Sequence, residues 1–164
     1  MNSIIEQVVS GLRERLGDAV EDVREFRDDV IVVLSRDAIV DAATWLRDHE
    51  EVPFPLCEDV FGIDAYSRKQ RFEVNYHFYS VTKKVRIHLK VRVEEDDAVV
   101  PSITAVYPGA GWYERETWDM IGVRFSGHPD LRRAYMPEDY EYHPLRKDYP
   151  LMGVPGSIPL PKRG

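Results

Sequence analysis

Two runs of strict alternation between Phe72 and Val93 constrain this chain more than any other feature. In the first, Phe72, Val74, Tyr76 and Phe78 alternate with Glu73, Asn75, His77 and Tyr79. In the second, Val85, Ile87, Leu89, Val91 and Val93 alternate with Arg86, His88, Lys90 and Arg92. A period of two sends successive side chains to opposite faces of a strand, so both segments are predicted to be half-buried strands whose apolar face needs a cover. Two amphipathic helices can supply it. Ile5, Val8, Val9, Leu12 and Leu16 form a 3.6-residue stripe behind the capping-box spacing of Ser3 and Glu6, with Gly17 as a stop. A second helix carries Ile39, Ala42, Ala43 and Leu46 on one face, capped by Ser35 or Asp37 and ended before Pro53. Between them, the extended runs Val20 to Phe26 and Val30 to Leu34 flank Arg27, Asp28 and Asp29 as a hairpin. The order of elements predicts an α+β fold of two layers, with helices packed on one face of a largely antiparallel or mixed sheet.

The last third differs in kind. Trp112 to Ile121 reads as a short helix before Gly122, but seven of the 11 prolines follow position 128. Proline cannot donate to a ladder and resists helix interiors, so this segment is expected to be extended and poor in hydrogen bonds of its own. A stretch rich in Tyr, Leu and Arg that cannot fold on itself is expected to lie on a partner. The division predicted is a globular α+β domain over residues 1–121 and an extended, Pro-rich, partner-binding segment over residues 122–164.

Charge and cysteine usage exclude several function classes. With 22 basic and 29 acidic residues the net charge is −7, which argues against a general nucleic-acid binder. The strand row Arg86, Lys90 and Arg92, with His88 between and His77 and Tyr79 alongside, is the one feature that favours an independent nucleic-acid or anion-binding module. A solvated strand face balanced by the acidic turn Glu94 to Asp97 is the plainer reading. The single cysteine, Cys57, excludes an internal disulfide and any zinc site or iron–sulfur cluster built on cysteines of this chain alone, and it reads as a small buried hydrophobe. No run approaches the roughly 18 apolar residues of a membrane span, and the N-terminus carries no secretory pattern, so a cytosolic location is expected.

Glu114 and Glu116 invite a catalytic acid/base reading, but residues two apart on a helix point about 200° away from each other. Arg115 and Asp119, four apart, are expected to pair along the helix. His128 and His143 each precede a proline and have no third or fourth ligand at workable spacing, so no metal is assigned.

Three motifs carry a resemblance: Trp112-Tyr113-Glu114-Arg115-Glu116-Thr117-Trp118-Asp119-Met120-Ile121-Gly122, then Gly127-His128-Pro129-Asp130-Leu131-Arg132-Arg133, then His143-Pro144-Leu145-Arg146-Lys147-Asp148-Tyr149-Pro150. In order and spacing this closely resembles the signature of the C-type subunit family of NADH-quinone oxidoreductase, the 30 kDa subunit of respiratory complex I. Relatives of that family serve deazaflavin-dependent dehydrogenases and membrane-bound hydrogenases. The strong match covers Ser102 to Pro150, with Ala134 standing where the family usually has a branched aliphatic residue.

The resemblance implies a non-catalytic structural subunit of a proton-translocating enzyme, packed against the 49 kDa-type (D-type) subunit and near the B-type subunit in the peripheral arm. It implies no cofactor on this chain, with FMN, iron–sulfur clusters and quinone held by other subunits. Nucleic acid is not among the implied partners, and membrane association at the cytoplasmic face would come only through the complex. The residues it nominates for the partner interface are Glu114, Arg115, Glu116, Asp119, His128, Arg132, Arg133, His143, Arg146, Lys147 and Asp148.

Overall fold

The computed structural model describes residues 3–27 and 29–156. Asp28 of the expected hairpin turn, and the part of the expected Pro-rich segment after residue 156, lie outside the described residues. Helix α1 spans Ser3–Leu16, the hairpin strands β1 and β2 span Val20–Phe26 and Asp29–Leu34, and helix α2 spans Ile39–Asp48. Strands β3, β4 and β5 follow at Leu56–Asp64, Phe72–Ser80 and Val85–Val93. A short strand β6 at Val99–Pro101, helix α3 at Ala110–Ile121 and strand β7 at Arg124–Ser126 complete the described elements.

Five strands form one mixed sheet in the order β1-β2-β5-β4-β3. All neighbours are antiparallel except β2 and β5, which run parallel with Val32 opposite Leu89 and Leu34 opposite Val91. The long β4–β5 pair keeps the register that alternation demands, with Phe72 opposite Val93, Tyr76 opposite Leu89 and Phe78 opposite Ile87. These side chains make one apolar face, and Val8, Leu12, Ile39, Ala42 and Leu46 of the two helices close the core over it. The expected α+β architecture is thus the observed one.

Local details depart from the expectations for identifiable reasons. Helix α1 already includes Ser3, so the expected hydroxyl cap lies inside its first turn. Helix α2 is entered through a 3-10 turn at Arg36–Ala38, and neither Ser35 nor Ala38 places a side-chain cap on it. Gly11 lets the helices approach: a Cβ there would lie 2.7 Å from the Trp45 ring.

Strand β3 is not foreseen from the sequence, because Glu58, Asp59 and Gly62 interrupt its alternation. It pairs with β4 across its length, Val60 opposite Tyr76 and Gly62 opposite Val74. As an edge strand it needs protection from stray pairing. Helix α3 provides it, with the Thr117 hydroxyl donating to the Val60 carbonyl at 3.3 Å. A Cβ at Gly62 would stand 2.9 Å from Thr117 Cγ2 and 3.0 Å from Ile121 Cγ1, so only glycine permits this approach.

The core also runs past residue 121. Val123 and Phe125 are buried in it, and β7 pairs in parallel with β6, Val100 opposite Phe125. Beyond Ser126 the described residues contain no helix or strand, as proline content predicts, yet the segment is far from unbonded. It returns across α3, and turns of its own, the end of α3 and side chains take the place of a ladder in satisfying its backbone.

Candidate partner-binding face around helix α3

Helix α3 ends at Gly122, which adopts a left-handed φ of 91° and donates its N–H to the Trp118 carbonyl at 2.8 Å. A helix leaves its last four carbonyls without intrahelical donors, at the negative end of its dipole. The returning segment meets the next three in turn. The Asp119 carbonyl accepts from Arg133 Nη1 and His143 Nδ1, both at 3.0 Å, the Met120 carbonyl from the Leu145 N–H at 3.0 Å, and the Ile121 carbonyl from Arg146 Nε at 2.6 Å. The His-Pro-Leu-Arg run of the signature is therefore a cap for the helix, and Arg146 within it and Arg133 before it complement the dipole.

Asp119 holds the other end of the segment. One carboxylate oxygen accepts from Arg133 Nη1 at 2.8 Å, and the other from the backbone N–H groups of Ala134, Tyr135 and Met136 at 3.0, 2.7 and 3.0 Å. Burial alone would raise the Asp119 pKa, but the N–H groups of Tyr135 and Met136, the Arg133 guanidinium and the Ala134 N–H hold it below the ordinary carboxylate range. Arg133 also donates to the Tyr142 carbonyl at 3.0 Å and to the Tyr140 carbonyl, and lies over the Trp118 ring.

The expected Arg115–Asp119 pair does not form. Arg115 donates instead to the carbonyls of Arg132 and Arg133, at 3.2 and 2.9 Å, and covers the Trp112 ring. Tertiary acceptors at shorter reach displace an i, i+4 contact worth only about 0.3–0.5 kcal/mol.

Glu114 and Glu116 point apart. Glu114 is fully buried, accepting from Ser102 Oγ at 2.6 Å and from the Ile103 N–H at 2.8 Å. Burial pushes its pKa up to about 7, against the opposing pull of those two donors. His128 Nδ1 accepts the Asp130 N–H at 3.0 Å, which leaves Nε2 to carry the proton donated to the Gly111 carbonyl at 3.0 Å. Glu116 is exposed on the other side, with the Tyr135 hydroxyl 3.4 Å away. No shared carboxylate chemistry is available to the pair.

A second node, unforeseen in the sequence, ties the segment to the sheet. Arg71 is buried and grips Asp64 with two bonds, Nε–Oδ1 at 3.0 Å and Nη2–Oδ2 at 2.8 Å. It reaches Glu95 at 2.7 Å and Asp148 at 3.0 Å as well. The Lys147 N–H donates to Asp64 Oδ2 at 2.8 Å. Burial would raise the Asp64 pKa, but Arg71 and the backbone N–H groups of Lys147 and Tyr66 bring it down to about 2. No local spacing links residues 64, 71, 95 and 148, so only the fold could bring them together.

Of the nominated interface residues, Glu114, Arg115, Asp119, His128 and Arg133 are thus spent on internal bonds, and His143 and Arg146 on the helix end. Arg132, paired with Asp130 at 2.9 Å, stays largely exposed. The face also presents large apolar side chains outward: Trp112, Tyr135 and Leu145 are 68, 65 and 60% exposed. Cys57 is half-buried with its thiol pKa pushed up to about 12 by burial, which makes it a poor nucleophile. Among the described residues no group of three or more His, Cys, Asp or Glu is arranged to hold a metal ion, and no helix is long and apolar enough to cross a membrane. The basic strand row is countered by Glu58 on Arg86 and by Glu73 on Lys90 and Arg92, not by the turn expected to balance it.

The NADH-quinone oxidoreductase C subunit of Roseiflexus sp. (strain RS-1) is 50% identical over 144 residues, covering 88% of this chain and 83% of the relative. The corresponding C subunit of Geobacter sulfurreducens is 41% identical over 148 residues, 90% of each chain. Among solved structures, the trypsin-resistant fragment of Nqo5 superposes with a TM-score of 0.64 at 26% identity, over 77% of this chain and 98% of the fragment. A chain of the membrane-bound sulfane sulfur reductase, an archaeal respiratory membrane complex, superposes with a TM-score of 0.72 at 26% identity, over 90% of this chain and 86% of that one. Residues 32–155, which include the whole capped helix and the segment bound to it, match the family described as respiratory-chain NADH dehydrogenase, 30 Kd subunit, and the chain belongs to that family.

Proposed function

We propose that this chain is a non-catalytic scaffold subunit in the peripheral arm of a proton-translocating NADH-quinone oxidoreductase, docked through the α3 face against the 49 kDa-type (D-type) subunit and close to the B-type one. In this reading FMN, iron–sulfur clusters and quinone reside on other subunits, and the chain reaches the cytoplasmic face of the membrane only through the complex. One observation carries it: most of the charged signature residues are consumed in shaping the face, Glu116 and Arg132 staying exposed, while Trp112, Tyr135 and Leu145 are left outside it. Large aromatic side chains on a rigid frame are what interface hot spots are made of. Charged groups already paired internally add positioning without a further desolvation cost.

Affinity purification of the tagged chain, followed by mass spectrometry, tests the proposal. The 49 kDa-type and B-type subunits are expected to co-purify, and Trp112→Ala/Tyr135→Ala is expected to lose them. Retention of both by the double variant would place the interface elsewhere. The likeness to a sulfane sulfur reductase chain favours one second reading, an equivalent subunit of a related membrane complex such as a membrane-bound hydrogenase or a deazaflavin-dependent dehydrogenase. The identities of the co-purified partners separate the two.

A further inference from the structure

The outer face of the sheet, the one not covered by α1 and α2, is unlike the rest of this acidic molecule. At one end of it a groove of about 440 Å³ is lined by Arg24, Arg68, Lys69, Gln70, Arg92 and Glu94. Asp22 pairs with Arg24 at 2.6 Å, Glu94 with Lys69 at 3.0 Å, and Glu73 alone serves Arg68, Lys90 and Arg92 at 2.8, 2.8 and 3.1 Å. Five cations therefore face three carboxylates, a local surplus of two positive charges on a chain of net charge −7. The side chains of Arg24, Arg68 and Lys69 are 59, 57 and 85% exposed, so the surplus is accessible.

We propose that this groove is a docking site for an acidic protein segment, one presenting two or so carboxylates to Arg24, Arg68, Lys69 and Arg92. Three of the four are arginines, whose planar forks take carboxylates two bonds at a time. The surroundings select the class of partner. A hollow beside the groove shares Gln70, Arg92 and Glu94 with it, and its other charged residues are Glu21, Asp37, Asp96 and Asp97 against Arg36 alone, a net charge of −3. A bilayer surface or a polynucleotide spreads its charge over both hollows and meets repulsion in the second, whereas a short segment seats its carboxylates in the first alone. The rest of the face suits peptide contact. Ile63 is 40% exposed on the Phe61 side of the sheet. No strand among the described residues pairs with the outer edge of β1, from which Arg24 projects, so an extended segment has backbone groups to follow.

This surface is distinct from the α3 face, and the inference does not rest on the function proposed above. The test uses the full chain and a fluorescein-labelled hexapeptide of alternating glutamate and aspartate, read by fluorescence anisotropy at low ionic strength. Binding is expected, weakening as salt rises, at least about tenfold weaker for Arg68→Gln/Lys69→Gln and unchanged for Lys83→Gln, which lies outside the groove. Circular dichroism of the double variant should match the parent, since both altered side chains are exposed. Inorganic phosphate, phosphatidylserine vesicles and oligothymidylate, each at matched charge concentration, should fail to displace the peptide. The proposal is overturned by the absence of peptide binding, by equal binding to the double variant, or by tighter binding of phosphate, vesicles or oligonucleotide than of the peptide.

Discussion

Asp119 and Arg133 meet at 2.8 Å with side chains 0 and 6% exposed, and between them they close the returning segment onto the helix that the segment caps. Neither charge has access to water as an alternative partner. Removing one side therefore leaves the other buried and unpaired, a change that costs about 3–5 kcal/mol. Asp119→Ala and Arg133→Met should each destabilise the chain by this order in urea unfolding, and the double substitution should cost less than the sum of the two.

The same pair controls access to the segment. Arg133 is bonded through its side chain to three carbonyls, so trypsin should cut slowly after it in the parent chain. Asp119→Asn weakens the clamp on residues 133–136 and should speed cleavage at Arg132, Arg133 and Arg146 severalfold, as read from fragment masses over time. Unchanged rates would mean that the cap on the α3 carbonyls suffices without the carboxylate.

Asp64, Asp119 and Glu114 together should contribute most to stability near pH 4 to 5. Half-buried His77, His88 and His143, held below their ordinary pKa mainly by burial, add stability as pH rises toward 6.5. Asp64 and Asp119 titrate below their ordinary range when folded, so their contribution is present above an unfolded pKa of about 4 and is lost as pH falls through the folded values, about 2 for Asp64. Glu114 works in the opposite sense. Its pKa is raised from 4.5 to about 7, so folding favours the protonated acid and stability declines as pH climbs between those values. The decline amounts to a few kcal/mol, at about 1.4 kcal/mol per pKa unit. Glu114→Gln should flatten it while leaving the acid limb in place. Urea unfolding of both proteins from pH 3 to 8 measures this, and parallel curves would show that Glu114 is charged in the fold at all these values.

Two glycines hold α3 in place by having no side chain. Gly62→Ala puts a methyl group within 3.0 Å of Thr117 and Ile121 and should cost about 1–3 kcal/mol by overpacking. Gly122→Ala combines a left-handed φ with a collision against Arg146 and His143, so it should cost more and should also loosen the cap. Thermal unfolding ranks the two. Trypsin sensitivity after Arg146 should rise for Gly122→Ala.

Trp112 and Tyr135 should matter only in company. Both are mainly exposed, and their replacement by alanine should change the stability of the isolated chain by no more than about 0.5–1 kcal/mol, most of it from the Trp112–Arg115 contact. Loss of co-purifying subunits without a shift in the melting temperature is the expected pair of results.

Periodicity made much of this molecule legible before its structure. Helix α1, the hairpin and strands β4 and β5 follow from the spacing of residues such as Leu12, Val32, Tyr76 and Leu89, because each spacing reports a local preference for one face. The same spacing of two allowed His77 and His88 to be cross-strand neighbours, and in the β4–β5 register they stack with ring centroids 3.9 Å apart. The separation of Glu114 from Glu116 followed from helix geometry alone. Strand β3 escaped because its edge position tolerates Glu58 and Asp59, and its need for Gly62 becomes visible only with α3 beside it.

What the sequence by itself determined is the three helices, the hairpin and strands β4 and β5, the buried faces of α1, α2, β4 and β5, and, through the Trp112 to Pro150 signature, the family. Tertiary structure decided which charges meet. Arg115 lost its neighbour Asp119 to carbonyls at residues 132 and 133, Arg71 gathered carboxylates from positions 64, 95 and 148, and the proline-rich return found its hydrogen bonds in the open end of α3. A buried charge or an unpaired carbonyl takes whichever partner the packed backbone brings within about 3 Å, and that distance carries no trace in the spacing of residues along the chain.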